Sequence, residues 1–198
     1  MLKKIYYKLF KSKDRYNKFK LDQTIIKQQN LFEEKFKNKL FDISNSIHNK
    51  KTLNFLHSGH CGDLIYSLAL IKELSKSHQC NLFIGVGKKI EGAYFKHPAK
   101  GVYIDNRIAK QILPLLKFQS FLNEVKIHSE ENIDINLDLF RDLPISLNFN
   151  SCRWYFHLTG VHVDLSAPYL NSTEHKSIKD KIIILRTFRY RNHFINYK

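Results

Sequence analysis

A short turn in the middle of the chain carries the residue types best suited to chemistry. It runs from His57 to Asp63 with the sequence HSGHCGD, and an apolar stretch follows it. The two glycines let the backbone approach a ligand closely, because they have no side chain. A carboxylate at the end of such a turn could accept the proton of a substrate hydroxyl, so Asp63 is the candidate catalytic base.

The segments around the turn predict how it is positioned. Residues 52–57 form a short apolar run typical of a strand, residues 63–77 have helical periodicity, and residues 80–86 form a second apolar run. A strand, a glycine turn, a helix and a strand make the βαβ unit of an open parallel sheet. Ligands of such sheets lie at the carboxyl ends of the strands, where this turn would be. The helix that follows would offer the ligand unpaired N–H groups and the positive end of its dipole.

The remaining residues of the turn are candidates for substrate binding through backbone N–H groups, a hydroxyl or imidazole rings: His57, Ser58, Gly59, His60 and Gly62. A simpler explanation is that Asp63 only caps the helix, since Asp is a common N-cap residue. The turn has neither the Gly-Lys-Ser/Thr of a Walker A loop nor a full Gly-x-Gly-x-x-Gly fingerprint. Two histidines without further ligands at suitable spacing predict no metal site.

The rest of the chain predicts an α/β domain between two other segments. Four further elements are expected: helices over residues 107–118 and 151–158, and strands over residues 124–128 and 133–140. The apolar run at residues 181–185 predicts one more strand, which would open a second domain. We therefore divide the chain into a basic helical extension (1–51), a Rossmann-like domain (52–172), and a linker with the first strand of another domain (173–198).

Positive charge is concentrated at the N-terminus. The chain has a net charge of +15, and residues 1–52 hold 14 Lys or Arg residues against 5 Asp or Glu residues. Residues 2–20 and 21–48 predict two helices, the first of them basic and amphipathic. Such a helix can lie on an anionic membrane, or it can be a solvated extension. A basic face also attracts nucleic acid, but the chain has no recognised nucleic-acid motif, so we do not expect that partner.

The cysteines and the hydropathy pattern indicate a compartment. The three cysteines form no Cys-x-x-Cys pair and are odd in number, which predicts neither a disulfide scaffold nor a zinc site. No stretch approaches the ~20 consecutive apolar residues of a spanning helix, and the N-terminus lacks the apolar core of a signal peptide. We expect a cytoplasmic protein, whose basic extension either contacts the inner membrane peripherally or is a solvated helical extension.

The stretch from His57 to Lys72 resembles the N-terminal motif of the ADP-heptose:lipopolysaccharide heptosyltransferases, a group of glycosyltransferase family 9 type. That motif is Gly-Asp, a short apolar stretch and usually Pro; Ala69 stands in the place of the Pro. Related bacterial proteins also carry segments similar to residues 133–141 (IDINLDLFR) and 186–192 (RTFRYRN). The resemblance covers roughly residues 52–198.

The resemblance implies the acceptor-side half of a two-domain GT-B fold, with the active site between the domains. The implied reaction moves a hexosyl or heptosyl group from a nucleotide-sugar to a cell-envelope saccharide, as in lipopolysaccharide biosynthesis. It inverts the anomeric carbon and uses no metal or other cofactor. The resemblance gives Asp63 the role of general base. Three arginines are candidates to bind the departing diphosphate, unless they belong to a solvated basic tail: Arg186, Arg189 and Arg191.

The implied enzyme needs a second half. A GT-B fold has two nucleotide-binding-like domains, and 198 residues supply one of them plus an extension. The donor site would belong to a missing part of a longer protein or to a separate chain; otherwise the domain binds without catalysing. We expect weak or no transferase activity from this chain alone. The alternative function is non-catalytic binding of an anionic membrane or nucleic acid through the basic N-terminal helices.

Overall fold

The computed structural model describes residues 2–90, 101–143 and 148–172. The strand expected at residues 181–185 lies outside these ranges. The described elements are α1 (Leu2–Phe10), α2 (Lys13–Lys35), α3 (Lys37–Asn49), β1 (Thr52–His57), α4 (Cys61–Leu74), β2 (Gln79–Ile84), α5 (Asn106–Lys117), β3 (Glu124–Ile127), β4 (Ile135–Asn136), a 3-10 helix (Leu137–Asp142) and α6 (Cys152–Thr159).

The four strands form one parallel sheet in the order β3-β2-β1-β4. The chain passes from β1 through α4 to β2 and through α5 to β3, and then returns to the other side of β1 to add β4. This βαβ arrangement confirms the mixed α/β class and is consistent with a Rossmann-like domain, whose strands begin in the order 3-2-1-4. The strand order reverses between β1 and β4, so the topological switch point of the sheet lies between these two strands.

The apolar residues of the central strands account for the core. Leu53 and Phe55 of β1 are fully buried, and so are Leu64 and Leu68 of α4, which belong to the same hydrophobic cluster. Because α4 carries apolar residues on most of its surface, it can be covered on several sides at once. The prediction of a strand over residues 52–57 matches the bounds of β1, and the helix predicted to begin at residue 63 begins two residues earlier.

The N-terminal extension has three helices where the sequence pattern predicts two. Ser12 begins α2 by accepting a hydrogen bond from the N–H of Arg15, so the predicted first helix over residues 2–20 is broken there. Phe36 separates α2 from α3 and is only 2% exposed. Together with Ile43, which is 3% exposed, it joins the core of the α/β domain, so α3 packs as part of that domain.

The expectation of a strand over residues 133–140 is wrong for most of its length. Only Ile135 and Asn136 pair with β1, and a 3-10 helix follows. The side-chain oxygen of Asn136 accepts a hydrogen bond from the N–H of Asp138 at 3.0 Å, which turns the chain out of the sheet. Outside the four strands, Val102 forms an isolated antiparallel bridge with Lys89.

No helix within the described ranges is both long and apolar enough to cross a membrane.

Candidate functional site

The turn after β1 leads directly into α4. His60 has an extended backbone and is the N-cap, so the helix begins at Cys61 and Asp63 is its third residue. Oδ2 of Asp63 accepts a hydrogen bond from the N–H of His60 at 3.3 Å. The capping explanation is therefore correct in part: Asp63 satisfies a backbone donor at the helix start, but it does so from the third helical position.

A second carboxylate reaches the turn from the 3-10 helix after β4. Asp138 is 5% exposed, and its Oδ1 atom accepts a hydrogen bond from the N–H of Ser58 at 2.9 Å. Its Oδ2 atom accepts one from Nζ of Lys88, also at 2.9 Å. Burial alone would raise the pKa of Asp138, but the nearby positive charges and these two hydrogen bonds outweigh burial and lower that pKa. Asp138 is therefore an ionised group that ties the turn to the neighbouring segment.

Arg141 connects the two carboxylates. Its Nη2 atom forms an ion pair with Oδ2 of Asp63, and its Nη1 atom lies 3.2 Å from Oδ1 of Asp138. The centre of the guanidinium lies 4.6 Å from the ring centre of Tyr103 and 4.4 Å from that of Phe140. A planar guanidinium can stack its face on rings while its edge donates hydrogen bonds in fixed directions. Arg141 thus sets the direction of the Asp63 carboxylate.

His57 is completely buried below the turn. Its Nδ1 atom accepts a hydrogen bond from the N–H of Gly59 at 2.9 Å, so the ring proton is on Nε2. Nε2 donates to the hydroxyl of Tyr155 at 2.8 Å, and that hydroxyl donates to the carbonyl oxygen of Asp63 at 2.9 Å. Burial lowers the pKa of His57 to about 4, and it raises that of Tyr155. Both groups are neutral supports that hold the backbone of the turn.

One glycine of the turn is required by close packing. A Cβ atom on Gly59 would lie 2.3 Å from Nη2 of Arg141 and 2.5 Å from Cε1 of His57. A Cβ atom on Gly62 would meet only the ring of Tyr66, at 3.8 Å, which is an ordinary contact. Gly59 therefore lets the Asp63–Arg141 pair form over the turn, whereas Gly62 leaves an open surface at the start of α4.

The structure separates the predicted site residues into three groups. Asp63 and His60 are partly exposed and Gly62 is exposed, so these three can face a ligand. His57, Ser58 and Gly59 are buried, and their contacts hold the turn from below. The third group lies outside the described residues: Arg186, Arg189 and Arg191.

Several residues of the site had no assigned role in the sequence. Asp138 and Arg141 lie in a segment that the family resemblance includes, but an alternating strand would have placed Asp138 on a solvated face. Their proximity to Asp63 depends on β4 lying next to β1, which no local pattern reports. Tyr155 looked like one aromatic residue among several in a short helix. The only available signal was the presence of charged residues within an otherwise apolar stretch at residues 135–141.

A cleft of about 570 Å³ opens beside the first turns of α4. Aromatic rings and side-chain amides make up much of its lining: Tyr66, Phe149, Trp154 and Tyr169 with Asn148 and Asn150. Tyr66 is 38% exposed. It follows Asp63 by three residues in α4, and side chains at this spacing are neighbours on a helix surface. Asp63 and Tyr66 therefore lie on one side of α4, and Tyr66 is the residue of this helix that lines the cleft.

Within the part of the chain that the structure describes, no group of three or more His, Cys, Asp or Glu side chains is arranged to hold a metal ion.

Comparison with known proteins found no matching family model, no matching curated sequence and no matching solved structure.

Proposed function

We propose that this domain binds a saccharide acceptor at the carboxyl edge of its sheet, and that Asp63 takes the proton of the acceptor hydroxyl during inverting glycosyl transfer. One observation carries the proposal. The Asp63 side chain is 17% exposed, and both of its hydrogen bonds use Oδ2. Among the described residues nothing donates to Oδ1, so this oxygen can accept a hydrogen bond from a hydroxyl.

The position of Asp63 supports a ligand site. It lies at the carboxyl edge of the sheet beside β1 and β4, where the strand order reverses, and open α/β sheets bind ligands at such a switch point. The neighbouring ion pair with Arg141 gives the carboxylate a fixed direction, because the guanidinium itself lies against the rings of Tyr103 and Phe140. A base that is positioned before the substrate arrives loses less freedom in the reaction.

The proposed step transfers one proton and one glycosyl group. The acceptor hydroxyl gives its proton to Oδ1 of Asp63 while its oxygen attacks the anomeric carbon of the donor sugar. The bond between that carbon and the diphosphate oxygen breaks, and the diphosphate leaves with the bonding electrons. Positive groups stabilise this leaving group. We assign this role to Arg186, Arg189 and Arg191, and we propose that the nucleotide is held by a second domain or a separate chain.

The lining of the cleft supports a saccharide as the acceptor. Aromatic rings pack against the apolar faces of sugar rings, and amide groups both donate to and accept from hydroxyls. Tyr66 and Asn150 offer these two kinds of contact in the cleft, and Tyr66 follows Asp63 by three residues in α4. We infer that the acceptor lies in the cleft with one hydroxyl at the carboxylate, and that the reaction takes place in the cytoplasm at the membrane surface.

The proposal can be tested by saccharide binding alone, without a nucleotide-sugar. Acceptor-type oligosaccharides are titrated into the full chain labelled with ¹⁵N, and the amide shifts of the turn and of α4 are followed. We expect saturable shifts at Asp63 and Tyr66. Tyr66→Ala should weaken binding about tenfold or more, because it removes a stacking ring. Asp63→Asn should weaken it about fivefold to tenfold, since a hydrogen bond to a charged oxygen becomes one to a neutral oxygen.

A matched variant controls for the loss of charge. Asp142 is an exposed carboxylate in the 3-10 helix, and Asp142→Asn should leave saccharide affinity unchanged. ADP-sugars and UDP-sugars titrated alone should bind weakly or not at all. Unshifted amides at Asp63 and Tyr66 with every saccharide tested would refute the proposal, as would equal affinities of the Asp63 and Asp142 variants.

A further inference from the structure

The first two helices form a hairpin that leaves one side of α1 uncovered. The ring of Tyr7 stacks on the ring of Phe19 in α2, with the ring centres 4.5 Å apart and the planes 10° from parallel. Every residue of α1 except Tyr7 is exposed. The hairpin therefore covers α1 on the Tyr7 side only.

The uncovered side of α1 is apolar. Leu2, Ile5 and Leu9 recur at helical spacing opposite Tyr7, and they are 84%, 47% and 68% exposed. Five residues make up what we call the α1 apolar face: Leu2, Ile5, Tyr6, Leu9 and Phe10. Single exposed apolar side chains are common, but five on one side of a nine-residue helix form a contiguous patch that indicates a binding surface.

Lysines surround this face. Residues 2–20 contain eight Lys or Arg residues and one Asp. Helical geometry puts Lys3 and Lys8 at the two margins of the α1 apolar face and Lys4 behind it, on the side of Tyr7. Lysines at such margins can extend their charged ends to one side while their carbon chains lie along apolar surface.

The second helix does not cover the α1 apolar face with core contacts. α2 has 23 residues, a length of about 35 Å, and none of its residues is buried. All residues from 20 to 30 are exposed. Most helical stability in proteins comes from packing of an apolar face, and α2 supplies little such packing to α1 beyond the stacking of Phe19 on Tyr7.

We propose that α1 docks on the surface of an anionic lipid bilayer, with the α1 apolar face at the boundary between headgroups and acyl chains and its lysines among the headgroup phosphates. The charge favours this partner over a second copy of the chain, because two such basic hairpins repel each other. The α1 apolar face also favours a bilayer over nucleic acid. Nucleic acid phosphates are bound by basic side chains that point toward them, whereas the uncovered side of α1 is apolar.

The test measures co-sedimentation of the full chain with two kinds of vesicle, phosphatidylcholine alone and phosphatidylcholine with about 30% phosphatidylglycerol. We expect binding at least about tenfold tighter to the anionic vesicles, and weaker binding as salt is raised. Leu9→Asp should reduce binding to the anionic vesicles about tenfold or more. Lys3→Gln and Lys8→Gln should each reduce it about fivefold.

Phe41 provides the matched control, because it is 69% exposed on α3 while Leu9 is 68% exposed on α1. Phe41→Asp adds the same charge at an equally exposed apolar position and should bind vesicles as the unaltered chain does. Far-ultraviolet circular dichroism and a melting curve show that each variant is folded. Equal losses from Leu9→Asp and Phe41→Asp would overturn the proposal. So would equal binding to both kinds of vesicle, or binding to duplex DNA with none to anionic vesicles.

This experiment is independent of the proposed catalytic role, since vesicle binding is measured without saccharide and the α1 substitutions lie outside the Asp63 site.

Discussion

The guanidinium of Arg141 forms an ion pair with the carboxylate of Asp63, which precedes it by 78 residues in the sequence. The pair joins the first turn of α4 to the 3-10 helix after β4. Because β1 and β4 are neighbours in the sheet, the segments that follow them meet at its carboxyl edge. The same guanidinium lies 3.2 Å from the buried carboxylate of Asp138, so one side chain organises both acidic groups of the site.

Replacing Arg141 by methionine should destabilise the domain. The substitution keeps an unbranched side chain but leaves Asp63 and the buried Asp138 with one fewer positive partner each. We expect a loss of about 3 kcal/mol in the free energy of unfolding, measured by urea denaturation at pH 7. The control is Arg153→Met, an exposed position on α6, which should change this free energy by less than about 0.5 kcal/mol. Equal midpoints for the two variants would contradict the structural role of Arg141.

The two glycines of the turn should respond in opposite ways to alanine. Gly59→Ala puts a methyl group against Arg141 and His57, so we expect a loss of about 1–3 kcal/mol in unfolding free energy. Gly62→Ala meets no close neighbour and lies inside a helix, so it should be neutral or stabilise by up to about 1 kcal/mol. Thermal melting of both variants measures the difference. An unchanged melting temperature for Gly59→Ala would contradict the close packing at this position.

The stability of the domain should fall as the pH drops from about 6.5 to about 4. Burial lowers the pKa of His57 from 6.5 to about 4, although Oδ1 of Asp138 lies 3.5 Å from its Nδ1 atom. Between these values the unfolded chain binds a proton at His57 and the folded chain does not, so acid favours unfolding. Protonation of His57 in the unfolded chain lowers the free energy of unfolding by about 3 kcal/mol at pH 4.

The pH effect can be assigned by urea unfolding at several pH values in the unaltered chain and two variants. His57→Gln should be less stable at pH 7, and its free energy of unfolding should decrease less steeply as the pH falls below 6.5. His162→Gln, at an exposed position, should keep the slope of the unaltered chain. An unchanged slope in His57→Gln would assign the acid sensitivity to other groups.

Two residues of α3 test whether this helix belongs to the domain core. Ile43 is 3% exposed and Phe41 is 69% exposed, only two positions apart. Ile43→Ala should lower the free energy of unfolding by about 2–4 kcal/mol, because it leaves a cavity under α3. Phe41→Ala should change it by less than about 0.5 kcal/mol. Similar effects of the two substitutions in urea denaturation would mean that α3 is only a peripheral attachment.

Hydrophobic periodicity predicted much of the sheet from local sequence. The strand at residues 52–57, the helix that follows it and the next strand form the expected βαβ unit, because each has a clear apolar period bounded by a glycine or polar turn. The prediction failed at residues 133–140. There the apolar alternation in the sequence continues past Asn136. The N–H of Asp138 donates a hydrogen bond to the side chain of Asn136, and this turns the backbone out of the sheet.

The sequence by itself determined the α/β class, the position of the glycine turn and the presence of Asp63 at the start of a helix, since all of these depend on residues close together in the chain. Only the tertiary structure decided that Arg141 and Asp138 hold that turn, that His57 is a buried support and that α3 packs into the core. The physical reason is that a periodic pattern shows which face of an element is apolar. It does not show which distant segment covers that face, and this depends on the order of strands in the sheet.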